Sequence, residues 1–205
     1  FRRRKPCCPA SWRIGPPPAW LDAAWEPAGR LKAGRISVGP QQGAYGSVDA
    51  DGLNAIAAEP EMLSKAQAPL VLTPHPGEMA RLLKTTVQDV QRHRLEYAKE
   101  FAVKQRLVLV LKGNKTVVAC PDGRVYINTT GNPGMAKAGS GDVLAGIIGA
   151  FLAQGMAPEQ AAAGGVYLHG LAGDRCAERL SQIGMTAPDL IEELPALFLE
   201  LTATK

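Results

Sequence analysis

Cysteine is scarce in this chain of 205 residues: Cys7 and Cys8 stand side by side near the start, and Cys120 and Cys176 lie far apart. That spacing fits neither a zinc site nor a disulfide framework, so a reducing, cytoplasmic setting is expected. No apolar run approaches the roughly 18 uncharged residues that a membrane helix requires. The basic start, FRRRKPCCPASW, leads into Pro and Trp and not into an apolar segment, so no secretory signal is legible. Internal repeats are absent. No Gly-x-x-x-x-Gly-Lys-Ser/Thr sequence occurs, which excludes a Walker A loop. A Rossmann fingerprint is also disfavoured: Gly139 and Gly141 fit its first two glycines, but Leu144 stands where the third belongs.

What remains is an ordinary globular composition, 46% hydrophobic and 20% charged. The length allows one substantial domain with a core that needs no staples. The net charge of +4 is unevenly placed. Residues 1–47 carry eight Lys or Arg against Asp22 and Glu26, whereas residues 48–205 carry 15 basic against 17 acidic residues. The same first segment holds all three Trp and seven of the sixteen Pro. No aromatic-basic repeat or helical stripe accompanies its charge, so nucleic-acid binding is not expected. Its prolines break any long element, and no apolar period is visible, so residues 1–47 read as an irregular segment.

From Val48 the texture changes to alternating strand and helix signals. Asp49-Ala50-Asp51-Gly52 is a turn cluster, and Leu53 to Leu63 reads as a short helix interrupted at Glu59-Pro60. Pro69 to Thr73 is a compact apolar strand, and Pro76-Gly77-Glu78 opens a helix through Leu83, with proline in the first turn where its missing N–H costs nothing. Thr86 and Asp89 form a capping pair for a helix carrying Val87, Val90, Leu95, Ala98, Phe101 and Ala102. Leu107 to Leu111 is an unbroken apolar run suited to a strand buried on both faces. Residues 116–120 and 124–128, with Pro121-Asp122-Gly123 between them, read as a hairpin. Three helices follow, at about 141–154, 158–180 and 187–200, the last two opened by Pro158 and Thr186. Strands alternating with helices predict a layered α/β domain over 48–205.

The most informative stretch is GNPGMAKAGSGDVLAGIIGAFLAQG, from Gly131 to Gly155. Small residues let backbone approach a ligand closely, and the first-turn N–H groups of a helix, with its dipole, form an anion site. An aspartate at the mouth of such a site repels phosphate unless it has a task of its own. Asp142 acquires one if it takes a proton from a hydroxyl while the amides stabilise phosphoryl oxygens, which is phosphoryl transfer to an alcohol. The plain alternative is a helix-start aspartate that compensates the dipole.

Three loops follow strand ends: Thr73 to Glu78, Lys112 to Thr116, and Asn132 to Asp142. Ligands of open α/β sheets collect at the carboxyl ends of the strands, so all three could face one crevice. His75, held between two prolines, is either a ligand-contacting group or a loop histidine satisfied locally. Glu78 is first-turn dipole compensation or a group near a metal-phosphate complex. Lys112 ends the most apolar strand, either to contact phosphate or to snorkel to solvent. Thr116 donates to a nucleotide or serves as a β-branched strand residue. His169 and Asp174 read as packing and helix-face residues, and His93 as solvated.

Four ordered motifs, VDADGLNA (48–55), LTPHPGEMARL (72–82), LKGNKTVVA (111–119) and the 131–155 stretch, resemble the ADP-dependent NAD(P)H-hydrate dehydratase family. The resemblance implies a ribokinase-like sheet with flanking helices. It further implies conversion of the (S)-hydrate of NADH or NADPH back to the reduced nicotinamide, with ADP converted to AMP and phosphate and Mg²⁺ as accompanying ion. On this basis His75 and Asp142 would meet the hydrate. Lys112, Gly113, Asn114, Lys115, Thr116 and Gly141 would bind the AMP moiety, and Asp142 would be catalytic. No metal ligand is assigned. A functional link to an NAD(P)H-hydrate epimerase is implied, and a homo-oligomer is compatible with the family. Two rival readings stand beside it: a small-molecule kinase of the same fold, and a non-catalytic nucleotide-binding fragment. The TPHPGE loop (73–78) separates the dehydratases from the sugar kinases.

The front of the chain departs from that family. Its glycine-rich substrate loop and early strands are not legible in residues 1–47, and Ala44-Tyr45-Gly46-Ser47 is poor strand material. The expectation is a fold incomplete on its N-terminal side, with residues 1–47 from a truncated or frame-shifted front.

Overall fold

The computed structural model of the chain describes residues 46–48, 53, 56, 57, 63 and 69–203. Five strands form one sheet in the order β1 (Gly46–Val48), β2 (Leu70–Leu72), β3 (Val108–Leu111), β4 (Val117–Ala119) and β5 (Val125–Ile127). The first three run parallel, β4 is reversed, and β5 returns to the direction of the first three, in the registers Ser47 to Val71, Leu72 to Leu109, Val110 to Val118 and Val118 to Tyr126. Gly46 and Ser47 therefore belong to a strand, against the expectation that this stretch is poor strand material. Pairing with the apolar β2 supplies the ladder that local propensity does not. The remainder of the irregular-segment reading, residues 1–45, lies outside the described residues, as does the turn 49–52. Leu53, Ile56 and Ala57 are helical as expected, whereas Glu59-Pro60 lies outside.

Side chains alternate across the sheet, and each face has its own core. Leu72, Leu109, Leu111, Val117 and Ala119 face a layer that includes Leu53, Met79, Val90, Phe101 and Ala102. Val71, Val108, Val110 and Val118 face Leu144, Ile147, Ile148, Phe151 and Val166 on the other side. The unbroken apolar run of β3 follows from this: all four of its residues are buried because both faces are covered. Each such side chain contributes about 1.5–3 kcal/mol of burial. The architecture is helix, sheet, helix.

The first layer comprises α1 (Pro76–Leu83), α2 (Val87–Arg92) and α3 (Arg94–Gln105). The sequence predicts one helix from Thr86 onward; the structure breaks it at His93 (φ −122°, ψ 38°). Asp89 is the cause. It accepts from Thr85 Oγ1 at 2.8 Å, Tyr97 Oη at 2.5 Å and His93 Nδ1 at 3.2 Å, which folds α3 back against α2. These bonds, Tyr97's above all, hold its carboxyl below the ordinary aspartate range. The capping pair is borne out, with Thr86 Oγ1 accepting from Asp89 N at 3.2 Å.

The second layer comprises α4 (Ser140–Ala153), α5 (Pro158–Gly184) and α6 (Ala187–Ala203). A non-helical Ser181 (φ 64°, ψ 161°) interrupts α5 at the end that the sequence predicts. Gly165 lets α4 and α5 touch: a Cβ there would lie 2.7 Å from Ile148 Cγ1. No helix among the described residues is long and apolar enough to cross a membrane.

Candidate active site at the carboxyl ends of the strands

The chain leaves β2 through Thr73 and Pro74, both buried, and leaves β3 at Lys112. A backbone bond from Lys112 N to Pro74 O, 2.8 Å long, ties these two exits together. His75 then caps α1. Its Nδ1 accepts from Gly77 N at 2.9 Å and Glu78 N at 3.2 Å, while Glu78 Oε2 accepts from His75 N at 2.6 Å. This reciprocal box satisfies helix-end donors that would otherwise be orphans. It also fixes the ring: with Nδ1 accepting, the proton sits on Nε2, which lies 3.4 Å from Glu78 Oε1. Local satisfaction and ligand contact are thus compatible, since the imidazole remains about half exposed.

Glu78 is buried, and the Lys112 Nζ stands 4.0 Å from its Oε2. The lysine is only 19% exposed, so it does not simply snorkel into water. Beyond it, Gly113, Asn114 and Lys115 are exposed. The turn they form needs Gly113 at φ 141° and Lys115 at φ 54°. Thr116 Oγ1 donates to Gly113 O at 3.1 Å and closes this turn, so its hydroxyl proton is engaged within the loop. Arg94 braces the turn from behind, donating through Nη2 to Leu111 O at 3.1 Å. Burial lowers its guanidinium pKa.

The glycine-rich loop follows β5, whose carboxyl end lies on the same edge of the sheet. Gly139, at φ 86°, is the N-cap of α4 and gives it no side-chain cap. Ser140 is buried, Gly141 partly so, and Asp142 is exposed in the first turn. Ser140 Oγ lies 3.3 Å from His169 Nε2 on α5. Burial pushes His169 down to about 4, with Lys112's charge adding to the effect and hydrogen bonding to Ser140 opposing it. His169 thus joins Ser140 and lies within range of Lys112's charge, while Lys112 itself ties the exits of β2 and β3 together.

Two residues read from sequence as packing groups are part of this frame. His169 supports Ser140, and Asp174 accepts from Gly131 N at 2.9 Å. Neither they nor Arg94 carry a local motif; only the crossing of α5 and α3 past the loops reveals them. Lys137, by contrast, reaches away from the crevice, donating to Ile183 O at 2.7 Å and to Met185 O. His93 is bound to Asp89 as well as half exposed. A separate cavity of about 290 Å³, lined by Leu63, Leu82, Tyr97 and Phe101 among others, includes none of these residues.

A parallel-cored sheet between two helix layers, with a glycine loop entering a helix at its carboxyl edge, defines a ribokinase-like domain. A ribokinase-like superfamily protein from Enterococcus faecalis is similar in fold, with a TM-score of 0.66 and 30% identity over 79% of this chain and 55% of that one. The family described as NAD(P)H-hydrate dehydratase matches residues 46–196, and the chain belongs to it. The bifunctional NAD(P)H-hydrate repair enzyme of Moorella thermoacetica is 58% identical over 148 residues, which is 72% of this chain and 28% of that protein. The ADP/ATP-dependent NAD(P)H-hydrate dehydratase of Bacillus subtilis, co-crystallised with ATP/Mg²⁺, is 41% identical with a TM-score of 0.63, over 65% of this chain and 48% of the other. The chain spans about half or less of the length of each of these relatives.

Proposed function

We propose that this chain carries the ADP-dependent dehydration of (S)-NAD(P)H-hydrate, with ADP converted to AMP and phosphate. The observation that carries the reading is the uncapped first turn of α4, where Gly141 and an exposed Asp142 follow a left-handed glycine. That turn offers amides to phosphoryl oxygens and a carboxylate to a hydroxyl.

Asp142 takes the proton of the nicotinamide-ring hydroxyl. The hydroxyl oxygen forms a bond to the β-phosphorus of ADP as the β-phosphorus–oxygen bond to AMP breaks. Phosphate then leaves with the carbon–oxygen electron pair, and loss of a proton from the adjacent carbon restores the ring double bond. Lys112 and the turn Gly113-Asn114-Lys115-Thr116 hold the AMP portion, Gly141 touches it, and His75 meets the hydrate through Nε2. A lysine beside developing phosphate charge strengthens the contact by charge-assisted hydrogen bonding.

Mg²⁺ fits this arrangement as an ion accompanying the nucleotide phosphates. Among the described residues no group of three or more His, Cys, Asp or Glu could hold a metal. Glu78 is already engaged with His75 and Lys112. When bound, the ion would neutralise charge on the phosphates. The bifunctional repair relative supports a functional link to an epimerase that supplies the (S)-hydrate. Buried free thiols at Cys120 and Cys176 are compatible with a cytoplasmic setting.

The test is disappearance of the hydrate with ADP, measured beside ATP and beside no nucleotide. Reduced nicotinamide and AMP should appear in equal amounts. Nucleotide binding without turnover would leave the non-catalytic reading in place.

A further inference from the structure

The loop that delivers Asp142 rests on one face of α5. Asn128 Nδ2 donates to Val166 O at 3.4 Å, and Thr130 Oγ1 to Tyr167 O at 3.0 Å. Asn132 Nδ2 donates to Gly173 O at 2.8 Å and to Asp174 Oδ1 at 3.1 Å, and Gly131 N donates to Asp174 Oδ2 at 2.9 Å. The small residues of α5 make this contact possible. A Cβ at Gly170 would overlap Thr130, and one at Gly173 would overlap Met135.

Asp174 is the one ionic group in this set, and both its oxygens are used. Gly131 stands at φ 97°, so its N–H direction is set by an unusual backbone, and Asp174 meets it. Asn132 transmits the constraint, because its own oxygen accepts from Gly134 N at 3.0 Å and so fixes the turn Pro133–Met135. That turn leads through Ala136 to Ser140, whose hydroxyl is held by His169.

We propose that Asp174 is a positioning residue for the dehydration, fixing the start of the glycine-rich loop and through it the placement of Gly141 and Asp142. The proposal rests on the function proposed above. Asp174 touches neither substrate. Its effect follows from geometry: a small misplacement of reacting groups costs about 10²-fold in rate.

Polarity makes the proposal testable. Both donors facing Asp174 need acceptors, so Asp174→Asn turns an N–H2 toward one of them however the amide is flipped. Exchanging the pair, Asn132→Asp with Asp174→Asn, restores the match. The new amide faces the new carboxylate, its oxygen faces Gly131 N, and the carboxylate's other oxygen faces Gly134 N. The cost is at Gly173 O, where a carboxylate oxygen replaces the amide donor that stood 2.8 Å away, so an acceptor faces an acceptor there.

Two measurements on the full chain decide it: amide hydrogen exchange across 131–142, and turnover with the hydrate and ADP. In Asp174→Asn, exchange across the loop should quicken at least about tenfold and kcat should fall about 10²-fold, with the hydrate KM changed little. The double variant should recover part of both, and should exceed Asn132→Asp alone, which carries the same acceptor pair at Gly173 O. If exchange and kcat in Asp174→Asn match the parent, the proposal is wrong. It is equally wrong if the double variant folds but is no better than Asn132→Asp alone in either measurement. Should Asp174→Asn lower stability as a whole, the double variant compared with Asn132→Asp gives the decision. A parent chain without turnover would overturn the proposed function, whereas the exchange result would still decide whether Asp174 fixes the loop.

Discussion

The amide of Lys112 donates to the carbonyl of Pro74 across 2.8 Å, so the ends of two neighbouring parallel strands are locked together at the point where the chain leaves both. His75 and Glu78 follow one strand, and the turn Gly113 to Thr116 follows the other. A single backbone bond thus sets the loop proposed to meet the hydrate against the turn proposed to hold AMP. The lysine side chain repeats the link, with Nζ 4.0 Å from Glu78 Oε2.

Asp142→Asn is expected to abolish turnover while AMP affinity stays within a few fold. In the proposed function the carboxylate removes a proton, a contribution of about 10²–10⁴ in rate, and does not hold adenosine. Single-turnover assays and calorimetry on the same preparation check this. Near-parental turnover would remove Asp142 from the mechanism.

Lys112→Ala should weaken AMP binding by roughly tenfold to a hundredfold, the effect of losing a charged hydrogen bond of about 1.5–3 kcal/mol. Unlike a snorkelling lysine, it should also lower stability, because the buried Glu78 loses its cation. Adding Glu78→Gln should restore much of that stability and none of the affinity. Titration at one salt concentration, paired with urea unfolding, separates the two effects.

His169 gives the fold a pH dependence of defined sign. Its pKa falls to about 4 on folding, against roughly 6.5 for an unfolded histidine. Above 6.5 both states are neutral and the group contributes no slope. Between about 6.5 and 4 the unfolded state binds the proton first, so stability declines as pH falls through that window. The ceiling is about 3 kcal/mol. His169→Gln should flatten the slope between pH 7 and pH 5 in urea unfolding; an unchanged slope would assign the dependence to other groups.

Gly139→Ala should destabilise the start of α4. The residue sits at φ 86°, and a Cβ there would lie 3.1 Å from Ala187 Cβ. A left-handed non-glycine residue costs roughly 1–2 kcal/mol. The melting temperature should fall, and AMP affinity should fall with it. A variant as stable as the parent would show that the turn relaxes.

Most single elements were legible from sequence because local chemistry specifies them. Proline at the start of α1, the Thr86 cap, the Pro121-Asp122-Gly123 turn and the unbroken apolar run of β3 each act within a few residues. The glycine loop and Asp142 were legible for the same reason, and four ordered motifs carried the family. Local signals failed where a distant partner decides. Gly46 and Ser47 form a strand only because β2 offers a ladder, and the helix after Thr86 breaks because Asp89 gathers groups from both sides of His93. The same limit hid Arg94, His169 and Asp174. No spacing marks them, since each acts on a loop 17 to 43 residues away in the chain. Sequence determined which groups can do the chemistry; the crossing of α3 and α5 past the strand ends decided which groups hold them in place.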